Sequence, residues 1–385
     1  MPLTGTGLAR DCISEVIPRQ KVTALLHCRD ALLHDISHGP YSHTFESVQK
    51  LRGIAKRHEQ WTAELIRNPA GAILPLLNAH WAYGTFTEAV AELLEAEDPV
   101  DIYHAVVSSS FDADRLDYLR RDRLMTGTGA GAIDFDWLME QLRVAEVEIE
   151  AAESSGENKP DPVLSFCLDP KALPAAEQFL LSRYTLYEQV YLHKTTRCVE
   201  HMIAKLLGRI AELAGLRSTR SAIGLDQQHP LIRFFRKDGA TVANFLTLDD
   251  VVVGGAIERM TQATDRAIAD LARRLRDRKL YKTLDLRAFG SDEGSQRKKA
   301  RRIDTCFASE LENGSVIPDK SAAVSIYTRI GGDDDKMHKK IHILDGTRPR
   351  EITSLSAIVG GLAEGKQFTR YYFESGADRD KARKL

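Results

Sequence analysis

The chain lacks any run approaching the ~18 consecutive apolar residues of a membrane-spanning helix. It does not open on a basic segment followed by an apolar one, so no secretory signal is expected at its start. Cysteine is scarce: Cys12, Cys28, Cys167, Cys198 and Cys306 are odd in number, widely scattered and never spaced Cys-x-x-Cys. That pattern implies no disulfide framework and predicts reduced thiols in a cytoplasm. An excess of one charge is also missing, since 53 Lys and Arg nearly cancel 55 Asp and Glu, for a net charge of -2. A general nucleic-acid or membrane-surface protein is therefore not indicated, and charge here is local. No internal repeat is found. What is left is a soluble, intracellular chain of 385 residues, enough for one large domain and an appended smaller one.

Helical periodicity dominates what is there. Lys21 to His38, Tyr41 to Leu51, His58 to Asn68, Thr85 to Glu95 and Ile102 to Ser108 each read as helix, with polar breaks between them. Ala145, Val147 and Ile149 alternate with glutamates, and Val163 to Leu168 can return as a partner strand, which predicts a small hairpin over about 142–168. A long helix is expected from about Leu173 to Gly215, and helix again from Leu246 to Lys282. Gly290 to Arg302 reads as a polar connector ending in a basic run, more a solvated segment than an anion contact. Beyond it Val324 to Thr328 and Lys340 to Leu344 alternate like strands, with a turn at Asp345-Gly346. The expected fold is mainly α, a helical bundle over 1–285, followed over 286–385 by a small α+β domain with its linker at 290–302.

The chemistry is concentrated in His34-Asp-Ile-Ser-His-Gly-Pro-Tyr-Ser-His-Thr-Phe-Glu46, three histidines and two carboxylates in thirteen residues. A His-Asp doublet can aim an imidazole nitrogen and a carboxylate oxygen at one point, which suits a divalent metal of borderline character. On a helix His38 would share a face with His34, and Gly39-Pro40 would end that helix just beyond it. Taken singly, such histidines read more simply as capping or core residues; their density favours a metal or phosphate site. A second polar stretch, Phe111-Asp-Ala-Asp-Arg-Leu-Asp-Tyr-Leu-Arg-Arg-Asp122, places Asp114, Tyr118 and Asp122 along one helical face. Alone it fits a solvated helix with internal ion pairs equally well.

Read together, these stretches resemble the HD-domain phosphohydrolases. His34-Asp35 matches the doublet that names the family, and Asp114 falls where the downstream segment carries its metal-binding aspartate. The full His-Asp-x-x-His-Gly-Pro-x-Ser-His pattern, with Ser182-Arg-Tyr-Thr-Leu-Tyr-Glu-Gln-Val-Tyr-Leu-His-Lys194, is similar to the branch that splits deoxynucleoside triphosphates into nucleoside and inorganic triphosphate. The resemblance implies an HD-domain helical bundle holding a divalent metal (Mn, Mg, Fe or Zn) through His34, Asp35 and Asp114. It implies His38 and His58, the latter followed by Glu59, beside the scissile phosphate, with His43 in support. Arg115, Arg183 and Lys194 would contact the triphosphate, and Tyr118, Asp122 and Tyr191 the deoxyribose. A nucleotide substrate and a homo-oligomer follow from the same likeness. A phosphohydrolase or phosphodiesterase for another nucleotide, and a non-catalytic nucleotide-binding regulator, are the alternatives.

One departure stands out. The family draws its first metal ligand from a histidine in an Arg-Phe-x-His-Ser-like segment upstream of the doublet, and the residues before His34 contain none. The sole upstream histidine, His27, would lie about 10 Å from His34 along one continuous helix, whereas donor atoms sharing a metal stand only ~3 to 4 Å apart. The expectation is a chain starting downstream of the natural beginning, or a site held by three groups and weakened for it, with an apolar groove left exposed beside His34.

Overall fold

A computed structural model describes residues 32–79, 86–95, 102, 104–107, 109–148, 162–290, 292–326, 339–363 and 365–385. The chain weaves through two compact units. The first takes the chain through His34, then Leu76–Tyr191 and Ala323–Gln367; the second takes Asp35–Pro75, Leu192–Ala322 and Phe368–Leu385. The described residues are mainly α-helical with small β elements. None of their helices is long and apolar enough to cross a membrane.

In the first unit, helix Ala113–Thr126 starts where the Asp112 side chain accepts from Arg115 N and stops at Gly127, whose φ of 67° suits a residue without Cβ. Leu116 and Leu119 are its buried residues. They join Phe111, Phe179, Leu180 and Leu186 in the core of this unit, where helix Leu173–Leu186 supplies much of the apolar surface. The strands among the described residues are β1 Leu142–Val147, β2 Val163–Leu168, β3 Lys282–Asp285, β4 Val316–Val324, β5 His342–Asp345, β6 Arg348–Glu351 and β7 Lys366–Phe373. β1 pairs with β2 from Leu142 opposite Leu168 to Val147 opposite Val163, so the glutamate alternation does mark a strand. The sheet continues in the order β1-β2-β5-β6, and Gly346 at φ 64° turns β5 into β6.

The second unit is built on helix Lys194–Leu213. Cys198, Met202, Leu206 and Ile210 recur every four residues, with Ile203 and Leu207 beside them, and all six are buried against Phe45, Trp61, Phe234 and Phe245. A smaller cluster of Leu284, Ile303, Phe307, Tyr371 and Phe373 lies beneath the three-stranded sheet β3-β7-β4.

Four readings of local structure change. Helix ends at Leu33 and residues 34–37 form a turn, so His34 and His38 do not share a helical face; the expected helix from Lys21 otherwise lies outside the described residues. The long 173–215 helix is two, Leu173–Leu186 and Lys194–Leu213, joined by a π-helical turn Tyr187–Tyr191 and an extended His193 that caps the second. Helix over 246–282 divides into Asp250–Met260 and Arg266–Arg276 before strand β3. Residues 293–302 are helical, within Glu293–Cys306, because Asp292 caps them and Ile303 anchors them. A polar segment with one buried side chain shows no apolar stripe, which is why periodicity missed it.

Candidate active site

In the second unit the turn after Asp35 is fixed by its contact with the core. A Cβ on Gly39 would stand 2.4 Å from Cδ1 of the buried Phe45 ring, so glycine is required for the segment to lie so close. Tyr41 and Ser42 then adopt φ of 59° and 51°, costly for non-glycine residues, and Asp250 accepts from Tyr41 N at 2.8 Å to hold them. Ser37, nearly fully buried, ties the turn to the next helix through His58 O and Thr62 Oγ1, each at 2.5 Å. Helices His43–Leu51 and His58–Arg67 therefore present their first turns toward the same point.

Three imidazoles gather there. His38 stacks on His58 with ring centroids 4.2 Å apart, and His43 stands edge-on to His38 at 5.4 Å. His38 Nε2 lies 3.1 Å from Asp35 Oδ1, and its Nδ1 lies 3.0 Å from Ser42 Oγ. Glu46 holds the other two. Its Oε1 accepts from His58 N at 2.9 Å and faces His58 Nδ1 at 2.9 Å, while Oε2 lies 3.2 Å from His43 Nδ1. His58 Nε2 points toward Glu59 Oε1 at 3.3 Å and Asp35 Oδ1 at 4.0 Å. Burial alone would raise the Glu46 carboxyl, but its hydrogen bonds from His43 and His58 prevail and keep it ionised far below the usual carboxylate range. For His38 burial pulls the pKa down, yet the hydrogen bond and charge of Asp35, with Glu46 and Glu59, carry it above the ordinary value.

In the first unit, residues eighty positions apart meet: His34 Nε2 lies 3.8 Å from Asp114 Oδ1. Donor atoms bound to one cation at ~2.1 Å stand ~3 to 4 Å apart, so this pair fits a shared divalent ion. Asp114 is held in the first helical turn, behind Ser110, whose N donates to Lys339 O at 2.7 Å, and Phe111, packed edge-on against Phe179. Asp35 follows His34 on the chain, and imidazole with two carboxylates is a donor set for borderline to hard divalent metals. Within the first unit His34 and Asp114 can share a metal, with Asp35 next to His34 in the chain, and within the second unit His38, His43 and His58 can hold one. His27 and the other residues before Leu32 lie outside the described residues, and with them the expectations about a further ligand and an exposed groove.

The first unit also brings Tyr118, Asp122 and Tyr191 together. The Tyr191 hydroxyl donates to Asp122 Oδ2, and the Tyr118 and Tyr187 rings meet Tyr191 edge-on at 6.2 and 4.9 Å. Burial pushes both the Tyr118 and Tyr191 phenols up, and for Tyr191 the Asp122 carboxylate adds to it. Arg183 is buried over the Tyr187 ring at 4.8 Å and donates from Nη1 to Ile326 O at 3.3 Å, while its Nε has no hydrogen-bond partner among the described residues. Arg115 donates to Ser109 O at 2.6 Å and to the Asp112 carboxylate. Lys194, in the second unit, is exposed at the start of its helix.

Residue types alone did not single out Glu46, Ser37, Ser42 or Tyr187. Glu46 left one signal, its place three residues after His43 inside the dense stretch. Ser37 and Ser42 left none, because serine is common in turns.

Histidines and carboxylates gathered at helix starts form a donor set suited to a divalent metal. Residues 29–119 match the HD domain and residues 164–238 the HD associated region. An HD domain together with an HD associated region supports a place for the chain in the HD-domain phosphohydrolase superfamily. It is 27% identical to "Uncharacterized protein YwfO" of Bacillus subtilis (strain 168) over 349 residues, 88% of this chain and 70% of that protein. It is 28% identical over 181 residues to a "Deoxynucleoside triphosphate triphosphohydrolase SAMHD1 homolog" of Dictyostelium discoideum, 45% of this chain and 31% of that one. Its fold is similar to a phosphohydrolase from Bacteroides thetaiotaomicron VPI-5482, with TM-score 0.66 at 22% identity over 95% of this chain and 84% of that one. A hypothetical protein from Aquifex aeolicus shares the fold at TM-score 0.65 and 22% identity, over 96% and 80% of the two chains.

Proposed function

We propose that this HD-type hydrolase is a metal-dependent deoxynucleoside triphosphate triphosphohydrolase, releasing a deoxynucleoside and inorganic triphosphate. The observation that carries the proposal is the hold of Glu46 on His58, which fixes one imidazole for proton transfer beside His38 and His43. The run His34 to His43 and the activity in the name of the Dictyostelium relative favour this substrate class over other nucleotides. A divalent ion held by His34, Asp35 and Asp114 would lower the pKa of bound water toward ~7 and polarise a phosphoryl oxygen.

The chain's own residues supply the rest. His58, oriented through Nδ1 by the Glu46 carboxylate, is left with Nε2 to take or return a proton as water adds to the α-phosphorus and the bond to the sugar 5′-oxygen breaks. The departing alkoxide leaves protonated as the nucleoside hydroxyl, and the water oxygen stays on the triphosphate. His38 donates to the scissile phosphate, with His43 in support and Glu59 acting on His58 Nε2. Arg115, Arg183 and Lys194 offset phosphate charge, the buried Arg183 Nε being a donor still to be satisfied. Tyr118, Asp122 and Tyr191 surround the deoxyribose, where Asp122 accepts from a sugar hydroxyl in place of Tyr191. A homo-oligomer, which the family resemblance implies, is proposed as well.

The test is incubation of purified protein with each deoxynucleoside triphosphate and Mn²⁺ or Mg²⁺, separating nucleoside from inorganic triphosphate. Equimolar nucleoside and triphosphate are expected. Monophosphate or opened cyclic products from other nucleotides would replace the proposal with a different phosphohydrolase, and tight binding without turnover with a regulator.

A further inference from the structure

Near-neutral net charge hides one strongly basic surface in the second unit. Helix Glu293–Cys306 carries five cations against two acids, and the terminal helix Gly376–Lys384 carries four against two. The two helices touch: Lys299 Nζ donates to Arg383 O at 2.8 Å, and Lys381 lies 5.1 Å over the ring of Phe307. On the first helix Ile303 turns inward, which leaves Lys298, Arg301 and Arg302 exposed on the outer side; Lys381, Arg383 and Lys384 are exposed on the second. Among the described residues none of these six makes an ion pair. Three of the four acids on these helices are committed elsewhere. Glu293 pairs with Arg297, Asp304 with Lys320, and Asp380 with Arg379. Burial, then the charge of Arg302, lowers the pKa of Lys299.

We propose that these paired helices form a docking surface for duplex nucleic acid, bound through its phosphates without regard to base sequence. Six unpaired cations over two adjoining helices match a regular line of phosphates better than one small anion, which would engage two or three. Neither helix exposes a large apolar side chain, so nothing is available to insert into a bilayer. Single strands are disfavoured because bases need free aromatic faces to stack upon. The aromatic rings at hand, Phe289 and Phe307, lie under Lys299 and Lys381.

The experiment is fluorescence anisotropy of the full chain with two 20-base-pair duplexes of unrelated sequence, at several salt concentrations. Equal affinities for both sequences are expected, with log affinity falling linearly against log salt at a slope of about -4 to -5 for five or so phosphate contacts. The triple variant Lys298→Glu/Arg301→Glu/Arg302→Glu should bind at least tenfold more weakly at low salt. A control with the same charge change at exposed positions outside these two helices, Arg217→Glu/Arg220→Glu/Arg278→Glu, should keep most of the affinity, and matching circular dichroism melts establish that both variants fold. No salt-dependent binding, equal loss in the two variants, a preference for single strands, or binding confined to vesicles of anionic lipid would each overturn the proposal.

Discussion

Replacing Glu46 with glutamine tests the proton-transfer arrangement with the least change in shape. Glu46 makes two contacts of 2.9 Å to His58 and one of 3.2 Å to His43, and the carboxylate is held ionised by them. Glutamine keeps an acceptor oxygen but loses the charge that steadies a protonated imidazole. A hydrogen bond to a charged group contributes about 1.5–3 kcal/mol. If that difference is felt when His58 carries the proton, kcat should fall about 10- to 150-fold at 1.36 kcal/mol per tenfold. Glu46 is not among the proposed metal ligands, so metal content should be unchanged. The assay is triphosphate release over a range of substrate concentrations, with metal analysis and a thermal melt of the same preparation. A kcat within threefold of the parent, in a folded and metal-loaded variant, would refute the role given to His58. A fall in metal content matching the fall in activity would refute the division between metal ligands and proton-transfer residues.

Three further outcomes follow from the same structure. His34→Ala and Asp114→Ala should each lower the divalent metal retained after dialysis, by elemental analysis, whereas Tyr118→Phe should not. Asp319→Ala should destabilise the second unit by about 3–5 kcal/mol in urea melts, since a buried charge pair that loses one partner leaves the other uncompensated; Arg197 is buried, donates to Asp319 at 2.9 and 3.1 Å, and a loss below about 1 kcal/mol would sink the argument. Asp285 is pulled down to about 2, because hydrogen bonds from Arg287 and Arg370 outweigh the upward push of burial. A carboxylate depressed on folding stabilises fully above its unfolded pKa near 3.8 and loses that contribution as pH falls through about 2. Asp285→Asn should therefore cost about 2 kcal/mol at neutral pH and flatten the stability profile between pH 4 and pH 2.

Much of this protein can be read without coordinates. The His34-Asp35 doublet, the His-Gly-Pro break and the capped acidic helix after Phe111 are written at short range, where spacing and residue type decide. The same local logic places the β1-β2 hairpin and the Asp345-Gly346 turn. It fails where local preference is weak or is overruled by packing. The helix around Arg297 to Arg302 is held by one inward isoleucine, and the 173–215 helix breaks at His193 although nothing near it forbids helix.

The amino-acid order by itself determined which chemical groups the chain owns, and that helix would not run on past Gly39-Pro40. Only tertiary structure decided which of them meet. His34 and Asp114 stand eighty residues apart, Tyr191 and Asp122 sixty-nine, Arg197 and Asp319 one hundred and twenty-two. Their encounters depend on closing long loops around two apolar cores, a free energy shared by the whole chain and recorded in no single segment of it.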